Sequence, residues 1–190
     1  MKPHFVISAA LAAVCVLALA QPGASVPEPW IVAGKSPEMY QAGVDIDGSS
    51  SGNKGAKYLR MVKGDGKSWG TLMQQFSAEK YRGKRVRLQA DVMTHSVSGW
   101  AGLWMRVDTP QKHGTAFYNS QDKPMKGTMG WERRSVVLDV SEDASVVSLG
   151  VISGGSGETW IDNLSLDVVG KDVPVDVFPQ TRTLPAEPAL

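Results

Sequence analysis

Hydrophobic and polar residues alternate through much of the middle of the chain. In the segment 85–92 every even-numbered residue is apolar and every odd-numbered residue is polar or charged. The same period of two recurs in 163–168 and, with one exception, in 134–140. Successive side chains of a β-strand point to opposite faces, so these segments predict strands with one face in a core.

Short segments of this kind are separated by clusters of Gly, Pro, Asn and Asp, which favour turns. No window sustains an apolar period of 3.6 residues, and the best helical candidate, Ser77–Arg82, is one turn long. The pattern predicts an all-β fold, a two-sheet jelly-roll β-sandwich with about eight strands. The candidate strands are Lys57–Val62, Gly70–Phe76, Arg85–Met93, Gly102–Val107, Thr115–Asn119, Arg133–Val140, Val146–Ile152 and Thr159–Val169.

The stretch Gly99–Asp108 has an unusual polar face. One of its faces is wholly apolar, with Ala101, Leu103, Met105 and Val107, whereas the other carries Trp100, Trp104, Arg106 and Asp108. A solvated strand face is ordinarily rich in Lys, Thr and Glu. Indole rings beside charged groups are typical of a surface that binds a ligand.

Both ends of the chain differ from this middle part. Residues 1–20 contain one charge, Lys2, then an apolar run that ends in a small-x-small sequence, which predicts a secretory signal peptide. The alternatives are an uncleaved membrane anchor and lipidation at Cys15. We expect a linker over 21–28, the β-sandwich domain over 29–170 and a Pro-rich disordered tail over 171–190.

Removal of residues 1–20 changes the composition of the predicted mature chain. The net charge falls from +1 to zero because Lys2 is the only charge lost, and the single cysteine also leaves. A chain without thiols suits an oxidising compartment, so we expect a periplasmic or secreted protein. Zero net charge argues against a nucleic-acid partner, and after signal cleavage we expect no membrane contact.

Several blocks of the sequence resemble a known family. They are 70–76, 81–86, 99–108, 126–128, 137–140 and 160–162, and together they are similar to an uncharacterised bacterial domain often labelled as an AraC-family transcriptional regulator. The resemblance covers about Pro29 to Pro174. Nothing in this sequence matches the two helix-turn-helix motifs that DNA binding by such a regulator requires.

The closing segment 158–166 resembles the last strand of galactose-binding-like jelly rolls, including non-catalytic carbohydrate-binding modules. That resemblance implies a structural calcium ion held by Asp162, with oxygen ligands from the loop Asp45–Asn53. Apart from this ion we expect no cofactor. At position 118 the family usually has Asp, and Tyr118 replaces it here.

The polar faces of two predicted strands supply a candidate site. We predict that Trp104, Arg106, Gln89, Asp91 and Tyr118 line a groove that binds a small-molecule or glycan ligand, because sugars pack their C–H faces on indole. In the alternative, a loop covers Trp104, and Arg106 pairs with Asp91 or Asp108. Trp69 and Trp100, which follow turns, are candidates for the mouth of a cleft.

The sequence contains no motif of nucleophilic or metal-assisted catalysis, so we expect no enzyme activity. The sequence favours an exported, non-catalytic module that binds carbohydrate or another small polar ligand. Two alternatives remain open: a protein-interaction or envelope-structural domain, and a sensor module related to transcriptional regulators.

Overall fold

A computed structural model of the chain describes residues 25–178, and the predicted signal peptide lies outside them. These described residues form nine strands and two single-turn 3-10 helices, the latter at Pro37–Met39 and Glu79–Tyr81. The strands are β1 (Ile31–Gly34), β2 (Tyr40–Val44), β3 (Lys57–Met61), β4 (Trp69–Ser77), β5 (Arg85–Asp108), β6 (Ala116–Tyr118), β7 (Met125–Asp139), β8 (Val146–Gly154) and β9 (Glu158–Val169). No helix among the described residues is long and apolar enough to cross a membrane.

The strands form two layers that share β5. The first layer contains β1, β4, β8, the second half of β5 and β6. The second layer contains β2, β3, β9, the first half of β5 and β7. All the pairings are antiparallel, and the buried apolar cluster draws side chains from both layers. The predicted all-β sandwich is therefore confirmed.

β5 differs from the sequence prediction, which had two strands where the structure has one of 24 residues. Between its halves the register with β7 shifts three times, and Ser96 has a φ of 53°. These irregularities bend one strand from the second layer into the first. β1 and β2 were not predicted because they are only four and five residues long, too short for an alternating pattern to show. β7 begins earlier than predicted, ahead of Gly127 and Gly130.

Part of the segment predicted as a tail lies against the domain. Arg85 donates hydrogen bonds to the carbonyls of Lys171 and Val173. The amide of Asp176 donates to the carbonyl of Val137, and the Asp176 carboxylate accepts the Val137 N–H at 2.8 Å. Residues 171–178 are thus held beside β7, and the rest of the predicted tail lies outside the described residues.

Candidate functional site

The second half of β5 places Trp104 and Arg106 on the outer surface of the first layer. The alternate residues Ala101, Leu103, Met105 and Val107 have no accessible surface and belong to the core. In the second half of β5, the inward-facing and outward-facing residues are therefore those that the alternation predicts. Trp104 pairs with Gly150 of β8, and Gly150 pairs with Met73 of β4, so these strands lie side by side under one surface.

A cavity of about 270 Å³ opens on this outer surface, and we call it the groove. It extends across all the strands of the first layer, because its lining comes from β1, β4, β8, β5 and β6 and from the residue after β6. The lining residues are Ala33, Gly34, Trp69, Thr71, Met73, Trp104, Arg106, Phe117, Asn119 and Ile152.

Trp104 is the fixed floor of the groove. Only 7% of the residue is exposed, and its indole N–H donates to Oγ1 of Thr71 at 2.7 Å. The Thr71 hydroxyl in turn donates to the carbonyl of Val151 at 2.9 Å. Because Thr71 lies on β4, the indole spans β8 to reach it. Trp104 is thus held in one orientation by packing and by a hydrogen-bond chain.

Two aromatic residues of the groove are much more exposed than Trp104. Trp69 is 40% exposed and Phe117 is 41% exposed, and the Phe117 ring meets Trp104 edge-on with centroids 6.5 Å apart. Phe178, from the C-terminal segment, packs against Phe117 at 5.9 Å. The accessible aromatic surface in the groove therefore belongs to Trp69 and Phe117. The position of Trp69 agrees with a place at the mouth of a cleft.

Among residues 25–178, Arg106 is the one charged residue that lines the groove, and a buried acid orients it. Its Nε and Nη2 atoms donate to Oδ2 of Asp108 at 3.1 and 2.8 Å. Asp108 is 3% exposed and also accepts the Gly114 N–H at 2.6 Å. Burial alone would raise the pKa of the Asp108 carboxyl, but the hydrogen bonds from Arg106 and Gly114 bring it below its usual value. The pairing with Asp108 is the alternative that the sequence left open.

The structure does not bring Gln89 and Asp91 to Trp104. Both lie on the outer surface of the second layer, where Asp91 accepts hydrogen bonds from Arg133 at 3.3 Å and Asn163 at 2.8 Å. The bend in β5 carries its two halves into different layers. The outward residues of the two halves therefore face opposite sides of the sandwich.

Tyr118 is also away from the surface of the groove. It pairs with the inward-facing Met105, is 1% exposed, and donates its hydroxyl proton to Asp122 at 2.6 Å. Burial, followed by the contact with Asp122, raises the pKa of Tyr118 above its usual value. The groove receives its neighbour Phe117 instead, because adjacent strand residues face opposite ways.

Asp162 and the loop after β2 do meet. Oδ2 of Asp162 accepts a hydrogen bond from Nδ2 of Asn53 at 3.4 Å. The Asp45 carboxylate is occupied within the loop, because its Oδ2 accepts the N–H groups of Ser50 and Ser51 and the Ser51 hydroxyl. Over residues 25–178 no group of three or more His, Cys, Asp or Glu residues could hold a metal ion. Hydrogen bonds are therefore the observed link between this loop and Asp162.

Comparison with known proteins gives one curated relative. The chain is 37% identical over 147 residues to an uncharacterized HTH-type transcriptional regulator, YbfP of Bacillus subtilis. The match covers 76% of this chain and 49% of the relative, so the chain spans about half the length of that protein. No model of a protein family matches the chain. The predicted resemblance to proteins labelled as transcriptional regulators is thus confirmed.

Solved structures of low sequence identity share the fold. The CBM22-1 and GH10 modules of Clostridium thermocellum xylanase 10B, complexed with xylohexaose, align with a TM-score of 0.54 and 9% identity. That alignment covers 78% of this chain and 27% of the other. A xylan-binding domain from CBM 22 aligns with a TM-score of 0.52 and 12% identity, over 73% of this chain and 86% of the other. These likenesses show that the chain has the jelly-roll fold found in carbohydrate-binding modules.

Proposed function

We propose that this domain is a non-catalytic binding module and that its groove holds a carbohydrate. The observation that carries the proposal is the pair of exposed rings, Trp69 and Phe117, beside the buried floor of Trp104 in one cavity. Contiguous exposed apolar surface often marks a ligand or interaction site, and here two exposed aromatic rings line the same groove.

The chemistry of the groove suits a sugar. A pyranose has an apolar C–H face that packs on aromatic rings and hydroxyl groups that need fixed polar partners. The rings meet the first need, and Arg106 and Asn119 meet the second. A volume of about 270 Å³ lies near the lower end of small-molecule sites, which corresponds to one or two sugar units of a longer chain.

The chemical types of the residues that line the groove also support a binding role without catalysis. Glycoside hydrolysis ordinarily uses two carboxylic acids that flank the scissile bond. None of the described residues that line the groove is Asp, Glu or His. The nearby carboxylate of Asp108 is buried and bonded to Arg106, so it is not available as a general acid.

A glycan array followed by calorimetry tests the proposal. The array is probed with residues 21–190, and hits are titrated with the parent chain, Phe117→Ala and the control Val168→Ala. Val168 is an apolar residue on β9, in the other layer, and at 54% it is at least as exposed as Phe117. We expect Phe117→Ala to weaken binding several-fold and Val168→Ala to leave it unchanged. No glycan binding, or equal affinity in Phe117→Ala, would contradict the proposal.

The relative in Bacillus subtilis supports a second candidate function, a ligand sensor. This chain matches about half of a protein named as a transcriptional regulator, and a sensor domain is one way for such a protein to use a binding groove. A hybrid in which this domain replaces the matched half of YbfP tests the idea. Glycan-dependent binding of DNA by the hybrid supports it, and binding that ignores the glycan refutes it.

We also propose that the protein is exported to the periplasm or secreted. The support is the apolar run and small-x-small sequence within residues 1–20. N-terminal sequencing of the protein from the periplasm or medium should begin at Gln21. Recovery of the whole protein with Met1 from the cytoplasm would refute export.

A further inference from the structure

We propose that the groove selects acidic saccharides, those that carry a uronic acid carboxylate, over neutral ones. The inference rests on the proposed function and adds the class of ligand. It follows from which polar atoms of the groove remain open to a ligand once the hydrogen bonds within the protein are made.

Each side-chain oxygen that lines the groove already accepts one hydrogen bond from within the protein. Oγ1 of Thr71 accepts the Trp104 indole N–H and gives its own proton to a carbonyl. Oδ1 of Asn119 accepts the backbone N–H of Gln121 at 3.1 Å. The described lining contains no carboxylate. A ligand hydroxyl therefore meets no side-chain acceptor that is without a partner.

The donors of the groove are in surplus. Arg106 uses Nε and Nη2 on Asp108, and no hydrogen bond to Nη1 is found among the described residues. A guanidinium has five N–H protons, so most of those on Arg106 remain for a ligand. The Nδ2 group of Asn119 likewise has no hydrogen-bond partner in residues 25–178, and it supplies two more protons.

A carboxylate fits this inventory better than a hydroxyl. It only accepts hydrogen bonds, and a charge-assisted bond to a guanidinium is roughly twice as strong as a neutral one. A neutral hydroxyl leaves its own proton without an acceptor when it binds donors alone. Asp108 offsets part of the charge of Arg106, so we expect a preference of about tenfold rather than a larger one.

Two matched pairs of probes test the selection by calorimetry. Hexagalacturonate is compared with its full methyl ester, and xylotriose bearing one glucuronate is compared with xylotriose. We expect the acid of at least one pair to bind about tenfold more tightly than its neutral partner, with an affinity that falls as salt rises. Equal affinities within both pairs would overturn the selection while leaving carbohydrate binding intact. Failure to bind any glycan on the array would overturn the proposed function itself.

Two variants assign the preference to the groove. Arg106→Gln should remove it, and the control Arg133→Gln, an exposed arginine of the second layer, should retain it. Because Arg106→Gln leaves Asp108 buried without its cation, Asn119→Asp serves as a second variant that keeps an acceptor for Gln121. Its new carboxylate should reduce acid binding more than neutral binding. An acid preference that persists in both groove variants would contradict the assignment.

Discussion

Replacing Trp69 with alanine removes the largest exposed ring of the groove while leaving its floor in place. The residue is 40% exposed, and a Trp side chain presents about 250 Å² when fully accessible, so about 100 Å² is open to a ligand. At about 25 cal/mol per Å², full coverage of that area by a sugar contributes about 2.5 kcal/mol, and coverage of half contributes about 1.2 kcal/mol.

The expected loss of affinity for Trp69→Ala is therefore about eightfold to sixtyfold. Calorimetry with the tightest glycan from the array measures it, and a thermal melt of each variant shows that the fold persists. Trp69→Phe keeps part of the ring surface, so its affinity should lie between those of the parent chain and Trp69→Ala. Val168→Ala again serves as the control from the second layer.

The reasoning is refuted if Trp69→Ala is folded and binds with parental affinity. The Trp69 ring would then not contact the ligand, although it lines the cavity. An equal loss in Val168→Ala would also count against the groove, because that residue lies on β9, in the second layer.

Three further outcomes concern stability. Trp104→Phe should lower the free energy of unfolding by about 1 kcal/mol or more, measured by urea titration, because the hydrogen bond to Thr71 is lost and the smaller ring leaves a void. The hydrogen bond from Arg85 lowers the pKa of Asp139 to about 2; this carboxylate therefore stabilises the fold above its unfolded pKa, and the gain is lost as pH falls towards 2. Asp139→Asn should flatten the loss of stability between pH 5 and 2, and an unchanged acid limb would contradict the pairing. Hydrogen bonds to Asp45 hold the loop after β2, so we predict that EDTA leaves the Tm unchanged whereas Asp45→Ala lowers it by several degrees. A fall of the Tm in EDTA would instead favour a bound calcium ion.

The alternation of apolar and polar residues predicted which side chains face inward within each half of β5. It did not predict that the two halves belong to different layers. The inward residues of 86–92 and of 101–107 follow a period of two, and the structure buries both sets. Between them, Ser96 and the shifts in register break the period of two. Alternation along the sequence therefore cannot predict whether Gln89 and Trp104 lie on the same face. The two sets of outward residues consequently lie on different layers.

The rest of the groove depends on pairings between distant segments. β6 has three residues, too few for a pattern to decide whether Phe117 or Tyr118 faces outward; the pairing of Tyr118 with Met105 decides it. Trp69 and Trp104 share a cavity because both β4 and β5 pair with β8. Such long-range pairing leaves no local sequence signal. The sequence therefore singled out Trp104, Arg106 and Trp69, but not Phe117 or the residues of β1 and β8 that complete the groove.

The central claim is that the outer surface of the first layer binds the ligand, and the indole N–H signals of the protein test it most directly. In a ¹⁵N-labelled sample titrated with the tightest glycan from the array, the signals of Trp69 and Trp104 should shift. Those of Trp131 and Trp160, which belong to the second layer, should stay in place. Shifts confined to Trp131 and Trp160 would contradict the account.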